Sequence, residues 1–172
     1  MLRFAREMPP QRELVQVNAV LRQTLKLRSY GLSNRNVEIL ERLAENLPVV
    51  VADPHQLEQV FLNILNNAFD AIEQSGGPGR MEVETIACAE NIEIYFRDNG
   101  PGISNADRIF EPFFTTKPVG KGTGLGLSIC YGIIQAHEGE IVCHNNANAE
   151  GCTFLIRLPA AAISSQGVPE DA

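Results

Sequence analysis

Residues 53–72 read DPHQLEQVFLNILNNAFDAI, and this stretch decides the fold. Asp53-Pro54 announces a helix. The Asp53 carboxylate suits the unpaired N–H groups of a first turn, proline suits the first helical position, and Gln56 stands third. Leu57, Val60, Phe61, Ile64, Leu65, Ala68, Ala71 and Ile72 then recur at helical spacing as one broad apolar face. The pattern predicts a long helix ending before Ser75-Gly76-Gly77-Pro78-Gly79. A face that wide needs a second layer to cover it.

The flanks supply that layer. Residues 14–17, 37–43 and 49–51 read as strands, and Asn18 is expected to cap a helix running to about residue 29. Residues 81–88 and 92–96 alternate apolar and polar around a short turn, as in a hairpin. A helix follows over about 125–137, and two strands, 140–144 and 153–158, close the domain. The order predicts an α/β fold: a two-layer sandwich with a mixed sheet and helices packed on one face.

Bulk properties bound the function. A chain of 172 residues suits one domain. Its net charge of -7 argues against a nucleic-acid or anionic-membrane surface. No stretch approaches the roughly 18 apolar residues of a membrane span, and Arg3, Arg6 and Glu7 leave no signal peptide. Cys88, Cys130, Cys143 and Cys152 form no C-x-x-C pair and read as reduced thiols of a cytoplasmic protein.

Four segments carry chemistry. Asn63 and Asn67 share a helix face, with Asn66 beside them, although asparagine disfavours helix interiors. An amide oxygen from Asn67 suits Mg²⁺, which takes oxygen ligands; a plain internal hydrogen-bond network is the competing reading. Asp98-Asn99-Gly100-Pro101-Gly102 follows a strand directly. Its carboxylate suits an exocyclic amine such as that of adenine, and its glycines let a flat ring approach; a simple turn is the alternative. Gly120-Lys121-Gly122-Thr123-Gly124-Leu125-Gly126 precedes a helix, where backbone N–H groups cradle phosphate, with Lys117 and Lys121 supplying charge. It is neither a P-loop nor a G-x-G-x-x-G fingerprint. Finally, Phe110, Phe113 and Phe114 crowd a loop, so residues 98–123, long for a structureless segment, read as a lid that docks on the core or a partner.

Taken together, the order and spacing of these segments resemble the GHKL ATPase/kinase superfamily, and within it the catalytic domain of sensor histidine kinases. The residues are the N box (58–71), Asp98 with Gly100 and Gly102, the phenylalanine box (110–114) and the second glycine box (122–126). Gly151-Cys152-Thr153-Phe154 looks like the family's last strand, with Cys where a small hydroxyl residue is common. The short lid, T-T-K-P-V-G-K-G-T-G-L-G-L-S, is most similar to nitrogen-regulation-type kinases.

The resemblance covers about residues 13–160 and implies a Bergerat sandwich that binds ATP with Mg²⁺. Asn67 would hold the metal, with Asn63 near the phosphates. Asp98 would recognise adenine, with Gly100 and Gly102 beside the ring. Lys117, Lys121, Gly122, Thr123, Gly124, Leu125 and Gly126 would form lid and phosphate cradle, and Thr153 would lie near the adenine edge.

Hydrolytic relatives carry glutamate where this chain has Asn63, and an amide is no general base near neutral pH. Transfer to a protein nucleophile is therefore expected, with Asn63, Asn67 and Lys117 as the catalytic set. His55, His137 and His144 read as structural or exposed, not as acceptors. Residues 1–12 resemble the end of a dimerisation helix, so the accepting histidine is expected on a dimerisation and phosphotransfer domain outside this chain, with a response regulator receiver downstream. Residues 161–172 read as a flexible tail. Two alternatives stay open: a stand-alone serine kinase of the anti-sigma-factor type, and a nucleotide-binding regulatory module without chemistry.

Overall fold

A computed structural model describes residues 10–29, 37–118, 120, 122–147 and 150–162. Most of the expected helix remnant at 1–12, most of the tail at 161–172, and Lys121 lie outside them. The elements run β1 (Glu13–Val15), α1 (Val17–Ser29), β2 (Val37–Leu43), β3 (Val50–Ala52), α2 (Pro54–Ser75), β4 (Gly79–Ala87), β5 (Asn91–Asp98), α3 (Gly126–Ala136), β6 (Glu140–Asn145) and β7 (Cys152–Pro159). A five-stranded sheet runs in the order β2-β4-β5-β7-β6. Among the described residues only β2 and β4 pair in parallel, so the sheet is mixed, and β1 and β3 form a separate antiparallel pair.

The start of α2 is built as its sequence implies. Asp53 has extended backbone and accepts from the N–H groups of His55 (2.9 Å) and Gln56 (3.2 Å), and Gln11 N–H adds a third donor (2.9 Å). Burial works to raise its pKa, but the Gln56, Gln11 and His55 N–H groups outweigh this and hold it below the usual carboxylate value. The reciprocal half of a capping box is absent: Gln56 Oε1 is buried without a partner among the described residues. At the other end, Gly76 takes the left-handed conformation (φ 69°) that stops the helix.

Leu57, Val60, Phe61, Ile64, Leu65, Ala68, Phe69 and Ile72 of α2 are buried, between α1, α3 and the sheet. Each of the larger side chains, Ala68 aside, contributes about 1.5–3 kcal/mol on removal from water. The opposing layer comes from strand alternation. Met81, Val83 and Thr85 of β4, Ile92, Ile94 and Phe96 of β5, and Phe154, Ile156 and Leu158 of β7 are all buried. The other face is a charged ladder: Arg97 bonds Glu82 (2.7 Å) and Glu84 (2.6 Å), and Arg157 bonds Glu93 (2.8 Å) and Glu140 (2.6 Å). This two-layer α/β sandwich is the expected architecture. Among the described residues, no helix is long and apolar enough to cross a membrane.

One expectation is corrected here. Asn18 does not cap α1, which already begins at Val17. Asn18 is buried inside the first turn, donates to Ala44 O (2.7 Å) and accepts from Thr85 Oγ1 (3.0 Å). It ties α1 to the sheet instead of satisfying its own helix end.

Candidate functional site

The period-2 alternation that buries Ile92, Ile94 and Phe96 continues for one more residue, so Asp98 also faces the helices. It is 5% exposed, a carboxylate at the end of an otherwise apolar row. Burying such a group demands partners. Oδ1 accepts from Gly100 N–H (2.9 Å) and, more loosely, from Cys152 N–H (3.4 Å), while the Cys152 thiol lies 3.2 Å from Oδ2. The Cys143 thiol, burial and the Asp98 carboxylate push the Cys152 thiol up, so it stays protonated and donates.

Backbone support for Asp98 is equally close. Asn146 Nδ2 donates to both Asp98 O and Glu150 O (3.0 Å each), and Asn146 Oδ1 accepts from Thr153 Oγ1 (2.7 Å). Next door, Asn145 exchanges two hydrogen bonds with the backbone of Ile103. Gly100 is tucked against Ala71, and Gly102 has φ 79°.

Across from Asp98, α2 presents Asn63, Asn66 and Asn67 to one cavity of about 560 Å³. That size suits a small ligand or cofactor. Asn63 Nδ2 donates to Gly126 O (3.2 Å), tying α2 to the first turn of α3. Asn67 Oδ1 lies 3.4 Å from the Lys117 ammonium, which is 2.6 Å from Asp70 Oδ2. Burial pushes the Cys130 thiol, below Asn63, up to about 11.

The segment 110–126 forms the rest of the wall and folds back on itself. Phe113 N–H donates to Gly124 O (2.9 Å), and both residues have positive φ, 65° and 67°. A Cβ on Gly124 would meet the Phe113 backbone at 2.5 Å, and one on Gly122 would meet Thr115 Oγ1 at 2.6 Å. Gly124 is thus required by the packing of the loop against the Phe113 backbone, and Gly122 lies under the Thr115 and Lys117 side chains. Gly126 is different: a Cβ there would come no closer than 3.8 Å to the Asn63 side chain, and Gly126 stands in the first turn of α3 and lines the cavity. Phe110 meets Tyr131 with the rings tilted by 40° and packs edge-on against Phe154, whereas Phe113 is 75% exposed.

The cavity gathers Asn63, Asn67, Asp98, Gly102, Lys117, Gly122, Thr123, Gly124 and Gly126. Gly100 and Leu125 stand just behind the wall, the first bonding Asp98 and the second preceding α3. Thr153 is not brought to the cavity. Its side chain belongs to the opposite face of β7 and bonds Asn146, while its neighbours Cys152 and Phe154 line the cavity. Sequence reasoning missed Cys152, Asp70 and Asn146; the alternation Cys152, Phe154, Ile156, Leu158 was the available signal for the first.

The cavity has a carboxylate among apolar side chains together with amides and an ammonium, a lining that suits a ligand with two unlike ends. The chain belongs to the family described as histidine kinase-, DNA gyrase B- and HSP90-like ATPases, which it matches over residues 52–162, and is thus an ATP-binding domain. It is 40% identical over 157 residues to the two-component sensor PprA of Pseudomonas aeruginosa, covering 87% of this chain and 17% of that protein. The catalytic domain of histidine kinase ThkA superposes with a TM-score of 0.76 at 29% identity, over 87% of this chain and 98% of that one. Full-length ShkA, solved in complex with AMPPNP, superposes with a TM-score of 0.77 at 27% identity, over 92% of this chain and 33% of that one. The chain spans 17% to 31% of the length of the curated relatives it matches.

Proposed function

We propose that this chain is the catalytic domain of a two-component sensor histidine kinase. It binds ATP with Mg²⁺ and gives the γ-phosphate to a histidine on a dimerisation domain, from which a response regulator receiver is charged. The observation that carries the reading is that Asp98, Asn67 and the glycine-bearing turn before α3 line one and the same cavity.

In this reading Asp98 takes the adenine. Gly100 and Cys152 N–H groups occupy Oδ1, which leaves Oδ2, beside the thiol, as acceptor for an exocyclic amine. Ala71, Ile103 and Ile109 give the ring apolar walls. Cys152 takes the place expected for Thr153 at this end. The phosphates lie toward Asn67, Lys117 and the N-terminus of α3, where unpaired N–H groups and the helix dipole favour anions. Lys121 adds charge there as a sequence expectation.

Asn67 fits a hard cation. Its amide oxygen already has an ammonium beside it, at 3.4 Å, and oxygen donors of this kind suit Mg²⁺ alongside phosphate oxygens. The ion would shield the charge of the β- and γ-phosphates. Asn63 cannot serve as a base; its amide is spent on Gly126 O. The chain's part is to hold and orient ATP, which is most of what phosphoryl transfer asks of a protein.

The histidines of the chain are poor acceptors. His137 is buried, accepts the Asp53 N–H at Nε2 and lies 2.7 Å from Ile133 O through Nδ1. His55 sits in the first turn of α2 and His144 in β6, neither in the cavity wall. The relatives favour a histidine kinase over a serine kinase or a silent module, since PprA is a two-component sensor and a ThkA structure holds the response regulator protein TrrA.

Calorimetric titration with AMPPNP and Mg²⁺ tests the adenine assignment. Asp98→Ala should abolish binding. Asp98→Asn, which keeps an acceptor for Gly100 N–H, should still fold and lose at least about tenfold in affinity, as befits a hydrogen bond to a charged group. Wild-type affinity in a folded Asp98→Asn protein would defeat it.

A further inference from the structure

Asp70 belongs to no role assigned so far. It stands three residues after Asn67 on the same face of α2, and its carboxylate holds Lys117 Nζ at 2.6 Å while that ammonium also lies 3.4 Å from Asn67 Oδ1. An ammonium has three N–H donors and no acceptor, so one lysine head serves both oxygens. Lys117 is in the segment 47 residues away in sequence, and the pairing brings it back across the cavity to α2.

The rest of Lys117 is held to match. Its N–H donates to Thr115 Oγ1 (3.1 Å), which fixes the backbone. Its stem lies across Gly122, where a Cβ would come within 3.1 Å of Lys117 Cβ and 3.2 Å of Cδ. The stem therefore runs along the glycine turn, with its head on the oxygen expected to take the metal. A metal ion and an ammonium are like charges competing for one acceptor.

We propose that Asp70 is a positioning residue for Lys117. It parks the ammonium on the Asn67 oxygen when no nucleotide is bound, so that Mg²⁺–nucleotide entry and transfer of Lys117 from Asp70 to the phosphates are a single exchange of cations. The proposal rests on the reading of Asn67 as the metal-binding amide. Asp70 sets the cost of that exchange. It contributes nothing to the phosphoryl group directly, and Gly122 keeps the path of the stem clear.

The test is AMPPNP binding by calorimetry, in EDTA and in Mg²⁺, for wild type, Asp70→Asn, Lys117→Met, the double variant and Asn67→Ala. In EDTA, Asp70→Asn should tighten binding about two- to fivefold, the range for losing one part-exposed ion pair. In the Lys117→Met background the same substitution should change nothing. Equal tightening in both backgrounds, the mark of simple charge removal, would overturn the proposal, as would no change with Lys117 present. The metal reading is judged separately: Asn67→Ala should abolish the gain in affinity from Mg²⁺. If that gain survives in Asn67→Ala, the metal assignment fails, whatever the EDTA comparison gives.

Discussion

Gly151 is the position where a single methyl group should do most damage. It has φ 93°, and a Cβ there would lie 1.9 Å from Asp98 O, 2.6 Å from Asp98 C and 2.8 Å from Asn99 Cα. All three are backbone atoms, so no rotamer change relieves the contact. Reaching the 3.4 Å of ordinary contact requires the ends of β5 and β7 to part by about 1.5 Å. That would break the Cys152 N–H contact to Asp98 Oδ1, already 3.4 Å, and pull Asp98 O from Asn146. For Gly151→Ala the left-handed backbone costs about 1–2 kcal/mol and overpacking about 1–3 kcal/mol. A loss of about 2–5 kcal/mol in urea unfolding is expected, with at least tenfold weaker AMPPNP binding by calorimetry. Gly77→Ala is the control: no atom lies within 4 Å of its Cβ position and its φ is not positive, so it should stay within about 0.5 kcal/mol of wild type. If Gly151→Ala matched that control in both assays, the argument that Gly151 lets β7 press against Asp98 would be wrong.

Two further outcomes follow from local bonds. Asn63→Ala removes the tie to Gly126 O and should cost about 1 kcal/mol in urea unfolding; an unchanged midpoint would mean that the amide does not anchor α3. Asp53→Ala removes the cap of α2 and should cost about 1–2 kcal/mol at pH 7. Because the folded pKa of Asp53 is depressed, its contribution is full above the unfolded value of about 3.9 and is lost as pH falls through the lower folded value. The gap between wild type and Asp53→Ala should thus hold from pH 7 to 5 and close below about pH 4. A gap that widened in acid would contradict the sign.

The sequence showed some features and hid others for physical reasons. α2 was legible because its cap, its apolar stripe and its terminating glycine all agree. Asp98 was legible because it continues the alternation of β5 into a glycine-rich turn. Thr153, placed at the adenine edge by the family resemblance, points to the other face of β7 and bonds Asn146, whereas strand parity turns Cys152 toward Asp98 and the cavity. Asn18 misled because its partners, Ala44 and Thr85, are brought to it by the sheet. Asp70 drew no reading because its partner, Lys117, lies 47 residues away in sequence and meets it only in the fold. Gly122 and Gly124 were noticed for their density, but their packing reason, the returning stretch from Phe113 to Lys117, appears only in three dimensions.

The most direct test of the central claim follows the γ-phosphate. The chain is incubated with γ-labelled ATP and Mg²⁺, alone and with the dimerisation domain of a sensor kinase to which it is matched. Label is then measured both as acid-labile phosphohistidine and as free phosphate. The account predicts phosphohistidine on the added domain, none on His55, His137 or His144 of this chain, and little free phosphate. Rapid release of free phosphate by the chain alone, or label on its own histidines, would contradict it.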